Sequence, residues 1–373
     1  NFGANLVSFP ALPEDNSIGN IMQSIEETVD GVIGEGVAAN LLPNGQWVGS
    51  LDNISPTSGY WVKQTTSDEL NVTGLPYDSD LVFDLHFGAN LISYPFLGSA
   101  AIDETLPENA YEYLTGIIGE GVAATLLPNG SWAGSLDALQ GKEGYWFISS
   151  GAFDFSYIPP IGTARTNFAE LPDVPFEFDY AQSTKQAFYF VSEIEGASIG
   201  DWVLAYSGDN VVGARMWNDD LVDIPAMGQD DQLSTAGYCM PEDIVKFKLF
   251  KSNTGELIDL TGSYDGWSDL SITFIESLSY DSSSMVEGFG LSSIYPNPFN
   301  PSTTIEFYAE IESSVNVSVY DLNGRLVDRI MDSSISAGSH SVTWDASSFS
   351  SGIYIVQVQF DGSVHSSKIM LVK

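Results

Sequence analysis

The chain's whole supply of imidazole is three histidines, His86, His340 and His365, and its single thiol is Cys239. Any Ser-His pair, Cys-His pair or zinc site must draw on these four residues, because imidazole is the usual base near neutral pH. One cysteine can form neither an intrachain disulfide nor a thiolate cluster. His86 opens a strand and reads as a surface histidine, so a Ser-His-Asp hydrolase or a zinc enzyme is not expected. No glycine-rich phosphate cradle with its lysine is present. Acids are abundant, and a glycosidase needs only two of them a fixed distance apart. Among fifty Asp and Glu residues, however, a pair carries almost no signal. Glu35 and Glu120 stand out because each sits in a Gly-Glu-Gly, where a carboxylate either hydrogen-bonds a tight turn or meets a ligand; the turn is favoured.

Calcium is the ion best suited to such a chain, since Asp and Asn oxygens are its natural ligands. Asp209-Asn210, Asp219-Asp220 and Asp230-Asp231 are the candidate clusters. None fits an EF-hand, and solvated charge is the default reading of each. No cofactor is therefore expected. Trp47, Trp61, Trp132 and Trp146 form either a sugar-stacking platform or, as aromatic residues in half-buried strands usually do, core.

The frame that must position these residues is 373 residues long, enough for two to four domains. Its net charge of −38 argues against nucleic acid and anionic membrane surfaces as partners. With 43% hydrophobic and 12% aromatic residues it is a folding chain, and its short alternating apolar runs point to strands and turns. No apolar stretch is long enough to span a bilayer as a helix.

A repeat organises the first half. Phe2-Gly3-Ala4-Asn5-Leu6 returns as Phe87-Gly88-Ala89-Asn90-Leu91, an offset of 85, and the same offset maps 34–39 onto 119–124 and 59–61 onto 144–146. Asn-Gly at 44–45 and 129–130 predicts a tight type I′ hairpin in each copy. Ile18, Ile21, Met22, Ile25 and Val29 recur at helical spacing over 17–30. In the second copy Pro107 can open a shorter helix, with Leu106, Ala110, Tyr113 and Leu114 on its apolar face.

Leu81, Val82, Phe83 and Leu85 precede the second copy and map to positions before Asn1. If this lead-in strand is integral to the repeat, copy one presents an unpaired edge that a strand from a neighbouring molecule fills head to tail, and contacts of that kind build fibres when they do not close. The alternative is that Leu81–Leu85 is a linker strand and copy one is complete.

A Pro-rich passage over 158–175 marks a linker. Beyond it lie strand candidates at Ala187–Val191, Asp201–Tyr206, Val211–Trp217, Asp243–Phe250 and Leu270–Ile275. The duplicated region holds twenty acids against Lys63 and Lys142, so it should repel itself at low salt.

The last segment carries Tyr295-Pro296-Asn297-Pro298-Phe299-Asn300-Pro301, Val317-Ser318-Val319-Tyr320-Asp321-Leu322-Asn323-Gly324-Arg325, Ala337-Gly338, Trp344-Asp345, Gly352-Ile353-Tyr354 and a terminal Lys368-Ile369-Met370-Leu371-Val372-Lys373. In this order the motifs resemble the type A C-terminal sorting domain of type IX secretion. Alternating runs at 303–309, 315–321, 325–330, 339–345, 353–360 and 364–372 independently suit a sandwich. The resemblance implies an Ig-like β-sandwich, with Pro296, Asn297, Pro298, Gly338, Gly352, Tyr354 and Lys368 as its sorting-motif residues. It also implies the type IX secretion machinery as partner, a diderm host, an extracellular or outer-surface destination and a signal peptide already removed. His340 and His365 fall inside this domain and are poor candidates for cargo chemistry. The middle unit resembles a module of large secreted proteins with the same terminal signal, through Gly200-Asp201-Trp202-Val203 and Val212-Gly213-Ala214-Arg215. The duplicated units resemble repeats of bacterial surface proteins.

The sequence thus predicts a mainly β, multidomain chain. Two β-rich repeats with a short helix each, 1–80 and 81–160, are followed by a β-sandwich-like middle domain at 161–280 and the Ig-like sorting domain at 281–373. The expected function is non-catalytic: a secreted surface or filament-forming subunit, homopolymeric or joined to other surface proteins through strand edges. The alternative is an adhesin or carbohydrate-binding protein with glycan partners.

Overall fold

The computed structural model describes residues 1–77, 80–160, 171–280, 289–309, 313–321, 324–336, 338–360 and 363–373. Residues 161–170 of the Pro-rich passage lie outside the described residues. The chain divides into two compact units, Asn1–Tyr280 and Asp281–Lys373, and both are built mainly of antiparallel sheets.

Each repeat forms a five-stranded antiparallel sheet, and the order is the same in both. In the first it runs Gly3–Val7, Tyr60–Gln64, Val29–Gly34, Val37–Leu41, Trp47–Gly49; in the second it runs Gly88–Ser93, Gly144–Ser149, Leu114–Ile118, Ala123–Leu126, Trp132–Gly134. Successive side chains of a strand face opposite ways, so Tyr60 and Val62 enter the first repeat's own core beside Phe9, Ile21 and Val32, while Trp61 points to the other face. All five residues of Tyr60–Gln64 are buried, which means that both faces of this strand are covered.

Each repeat carries a short helix, but a shorter one than the apolar spacing suggests. Residues 17–30 make one α turn, Ile18–Ile21, and a 3-10 turn, Gln23–Ile25, before the strand Val29–Gly34 begins. The second copy has Ile102–Thr105 and the 3-10 turn Glu108–Glu112, with Leu114 already in a strand. The apolar spacing was right for burial, since Ile18, Ile21, Met22 and Ile25 all enter the core. Tertiary packing, not propensity, decided the conformation.

The Asn-Gly hairpins form, but not as type I′. Gly45 and Gly130 have φ of +80° and +85°, and neither Asn44 nor Asn129 is left-handed. Gly45 N–H donates to Leu42 and Leu42 N–H to Gln46, so a turn followed by a left-handed glycine bulge connects the strands. Asn44 Oδ1 and Asn129 Oδ1 accept from the backbone of Gln46 and Ser131.

The lead-in segment belongs to repeat 2. Phe83–Leu85 pairs antiparallel with Phe153–Phe155, and Phe83 and Leu85 are completely buried against Tyr94, Phe147 and Tyr157. Leu81 packs against the same core and Val82 is exposed. The counterpart of 153–155 in repeat 1 is 68–70, and no strand among the described residues pairs with it.

In the middle module the sheet Val222–Met227, Gln186–Val191, Ile272–Ile275 packs on the sheet Asn210–Met216, Trp202–Ser207, Lys246–Lys251, Glu256–Thr261, Ser279–Tyr280. Tyr189, Phe247 and Trp267 fill the space between them. The strands at 222–227 and 256–261 had no counterpart in the sequence reading. Gly208, with φ of +58°, sits first in a two-residue connection closed by the Ser207–Asn210 pair, the place that turn geometry reserves for glycine.

In the second unit the sheet Phe289–Tyr295, Ser302–Ala309, Gly338–Asp345 shares one core with the sheet Leu326–Ile335, Ser313–Tyr320, Gly352–Phe360, Ser363–Leu371. Val315, Val317 and Val319 alternate inward to meet Val356 and Val358, opposite Ile305, Phe307 and Trp344.

Candidate functional site

The two Gly-Glu-Gly turns are where the repeats meet. Glu35 Oε2 accepts from Leu91 N and Glu120 Oε2 accepts from Leu6 N, both at 2.8 Å. Both the acids and the leucines are related by the offset of 85, so the contact is reciprocal. Two further pairs repeat the pattern. Val7 bridges Glu143 as Ser58 bridges Ile92, and Ser8 N donates to Lys142 O as Ser93 N donates to Thr57 O, at 2.7 and 3.1 Å. Residue-for-residue exchange of this kind defines an isologous, twofold interface. Ala4, Leu6, Trp61 and Leu91 form its apolar centre, with Ile33 and Trp146 against it. Near the pseudo-axis the backbones almost touch: a Cβ on Gly59 would lie 2.9 Å from Ile92 O and 3.2 Å from Gly144 Cα.

The environments of the two acids differ. Burial pushes the Glu120 carboxyl up, against the Leu6 hydrogen bond that favours its charged form. Burial likewise raises Glu143, which accepts from Tyr145 Oη at 2.9 Å. Glu35 Oε1 meets His86 Nε2, and the Phe87 carbonyl together with Glu35 raises the His86 imidazolium's pKa. The carboxylates best placed for acid-base work therefore hold backbone or side-chain donors of the protein itself.

The tryptophans do not share one surface. Trp61 and Trp146 lie at the repeat interface, Trp47 packs on the first core, and Trp132 packs on the second with Tyr111 at 6.1 Å.

The middle module grips the hairpin of repeat 2 through buried polar groups. Asp223 Oδ2 accepts from Ser135 Oγ, Ala123 N and Arg215 Nη2 at 2.6, 3.2 and 3.2 Å. Arg215 also reaches Gly121 O, and Gln186 bonds Gly119 O and Gly121 N. Phe188 and Phe190 pack beside Ile118 and Ala123; burying side chains of this size contributes roughly 1.5–3 kcal/mol each. Lys63 Nζ meets Asp231 at 2.6 Å, tying the module to repeat 1 as well.

Of the proposed calcium clusters, Asp230 is satisfied internally by Thr184, Gln232 and Thr235. Burial raises its carboxyl, but these donors, Thr235 foremost, outweigh burial and bring it down to about 2. Among the described residues no group of three or more His, Cys, Asp or Glu is placed to hold a metal ion. Cys239 is buried, and burial pushes its thiol up to about 12.

In the second unit Asn297 clasps the last strand: its Nδ2 donates to Lys368 O and its Oδ1 accepts from Met370 N. Phe299 is buried beside Trp344, and Thr303 Oγ1 donates to Pro296 O. Tyr354 packs edge-on to Trp344 and donates to Ser350 O. Gly338 and Gly352 each begin a strand. Pro298 and Lys368 are exposed.

Residues 293–373 match the family described as the secretion system C-terminal sorting domain. The chain therefore carries the sorting domain of type IX secretion, which marks it as a secreted or outer-surface protein and implies contact with the secretion machinery. Among the described residues no helix is long and apolar enough to cross a membrane.

No curated protein matches the chain. Among solved structures, PorZ, an essential bacterial surface component of the type IX secretion system of Porphyromonas gingivalis, is 17% identical; the match covers 49% of this chain and 22% of PorZ, with a TM-score of 0.18. Dimeric latent PorU from the same organism is 11% identical over 87% of this chain and 36% of PorU, with a TM-score of 0.23. A tetra-tandem repeat from the extending region of a large adhesion protein is 11% identical over 92% and 91% of the two chains, with a TM-score of 0.19. The chain thus spans about a fifth and a third of the PorZ and PorU chains. Likenesses this distant carry no argument about its overall fold or role.

Proposed function

We propose that the chain is a non-catalytic structural protein of the cell surface, exported by type IX secretion and assembled with further copies through β-strand edges. Its second unit is read as an Ig-like sandwich, with Pro296, Asn297, Pro298, Gly338, Gly352, Tyr354 and Lys368 presenting the sorting signal. One observation carries the assembly reading. Repeat 2 is closed by pairing Phe83–Leu85 with Phe153–Phe155, whereas the corresponding stretch of repeat 1, 68–70, has no ladder partner among the described residues. Leu70 and Val72 are only half-buried there, and the chain pairs again only at Leu75–Pro76, with Ala11–Leu12. An open edge beside apolar side chains is a template for an added strand.

The non-catalytic part draws support from Glu35 and Glu120, whose carboxylates bind backbone amides of the facing repeat. Electron microscopy of the full chain at physiological salt, with sedimentation over a concentration series, tests the proposal. Regular filaments or higher oligomers are expected, shortened by a competing peptide of the Leu81–Leu85 sequence. Dispersed monomers throughout the series would overturn it.

A further inference from the structure

Three of the molecule's cavities, of 410, 230 and 510 Å³, share Tyr180 and Gln182. They form one groove along the segment 173–182, which straps the outer face of the sheet carrying Trp202 and Ala214. Two aromatic rings on its walls are offered to solvent: Phe176 is 93% and Phe2 64% exposed. Single exposed apolar residues are ordinary, but rings lining a concave surface with convergent polar groups are the usual make-up of a ligand site.

The polar groups in the groove narrow the ligand's chemistry. Gln182 Nε2 is engaged with Ser183 O and Gln186 Oε1, which turns the amide's carbonyl oxygen into its open function. Asp179 accepts from Tyr180 N through Oδ1, and a carboxylate retains further acceptor capacity on its second oxygen. The cation lining the groove, Arg215, is held by Asp223 and two backbone carbonyls. Acceptors and ring faces, with the Arg215 guanidinium already engaged, suit a ligand that donates hydrogen bonds and presents a flat C–H face. A phosphate, sulfate or uronate would meet uncompensated negative charge on a chain of net −38.

We propose that this groove binds a neutral oligosaccharide, stacked on Phe176 and Phe2 and hydrogen-bonded to Asp179 and Gln182. The site stands apart from strand-edge assembly, and a monomeric chain carries it equally. Calorimetric titration of the full chain with neutral gluco-, manno- and chito-oligosaccharides tests it. One class should bind with little salt dependence, and Phe176→Ala and Asp179→Ala should each weaken binding about tenfold. Phe176→Ala removes an exposed ring, so near-UV circular dichroism should be unchanged in that variant. No binding by any class, wild-type affinity in Phe176→Ala, or binding only of cationic or proline-rich peptides would overturn the proposal.

Discussion

Glu35 and Glu120 occupy the same position in successive repeats, and each accepts a backbone amide from the other repeat at 2.8 Å, from Leu91 and Leu6 respectively. The hairpin that carries each acid also closes the contact, so one short motif both turns the chain and joins the two sheets. Both acids keep part of their side chains in solvent, 36% of it in Glu35, while the leucines whose amides they hold are buried.

Removing either acceptor should cost stability, because each serves the amide of a buried leucine. Glu120→Ala strands the Leu6 amide, and a buried donor without a partner costs about 1–3 kcal/mol. Glu35→Ala strands the Leu91 amide in the same way, and a loss of similar size is expected. Urea unfolding of both variants measures the losses, and wild-type stability in either would contradict the role of its acid.

The same acid sets a pH dependence. Burial raises Glu120 above its ordinary 4.5, so the folded state binds this proton more tightly than the unfolded chain does. The resulting stability is complete below 4.5 and is lost as pH rises through the folded value. Asp230 runs the other way: its stability is present above 3.8 and is lost as pH falls through about 2. Thermal melts between pH 4 and pH 8 should therefore show the wild type losing ground to Glu120→Gln as pH rises. Parallel curves would refute the assignment.

The Arg215–Asp223 pair should be the costliest link to break. Arg215→Leu leaves a buried carboxylate short of its cation, at about 3–5 kcal/mol. Burial already raises Asp223, so acid neutralises the stranded group and the penalty should shrink as pH falls. A chemical-denaturation series at several pH values reads both the loss and its recovery.

At the pseudo-axis, Gly59→Ala places a methyl 2.9 Å from Ile92 O and Leu91 Cδ1. Backbone cannot yield as a side-chain tip does, and a loss of about 1–3 kcal/mol is expected in the same unfolding assay.

In the second unit, Asn297→Ala removes both clasps on the final strand. Native-state hydrogen exchange should show the Met370 amide opening faster, with about 1–3 kcal/mol lost from two hydrogen bonds. Unchanged protection at Met370 would mean that the strand pairing with Gly352–Phe360 suffices on its own.

Local pattern was the legible part of the sequence. Short apolar runs placed the strands at 187–191, 211–217 and 353–360 within a residue or so of where they lie; Gly352–Phe360 alternates with one face inward, whereas Gln186–Val191 is buried on both faces. The 17–30 segment misled because Ile18, Ile21, Met22 and Ile25 satisfy a helical period over a stretch that the core ends after two short turns. Asn44-Gly45 announced a hairpin, but the left-handed φ fell on the glycine alone, a distinction that residue types do not encode. The Gly-Glu-Gly acids were visible as a repeat and were read as local turn formers. Their partners lie 56 and 114 residues away, and no spacing rule reaches that far. Asp223 gave no signal, and Arg215 gave one only as the end of a motif of the middle unit, since only the fold brings them to Gly121 and Ala123.

The reciprocal contacts between the repeats amount to a homodimer written into one polypeptide. Residues 65–82 act as its covalent tether and turn an encounter between partners into a local search at high effective concentration. Stoichiometry is thereby fixed at one to one whatever the dilution outside the cell. An excised single repeat would keep the self-complementary face without the tether, and its pairing would then rise and fall with its own concentration.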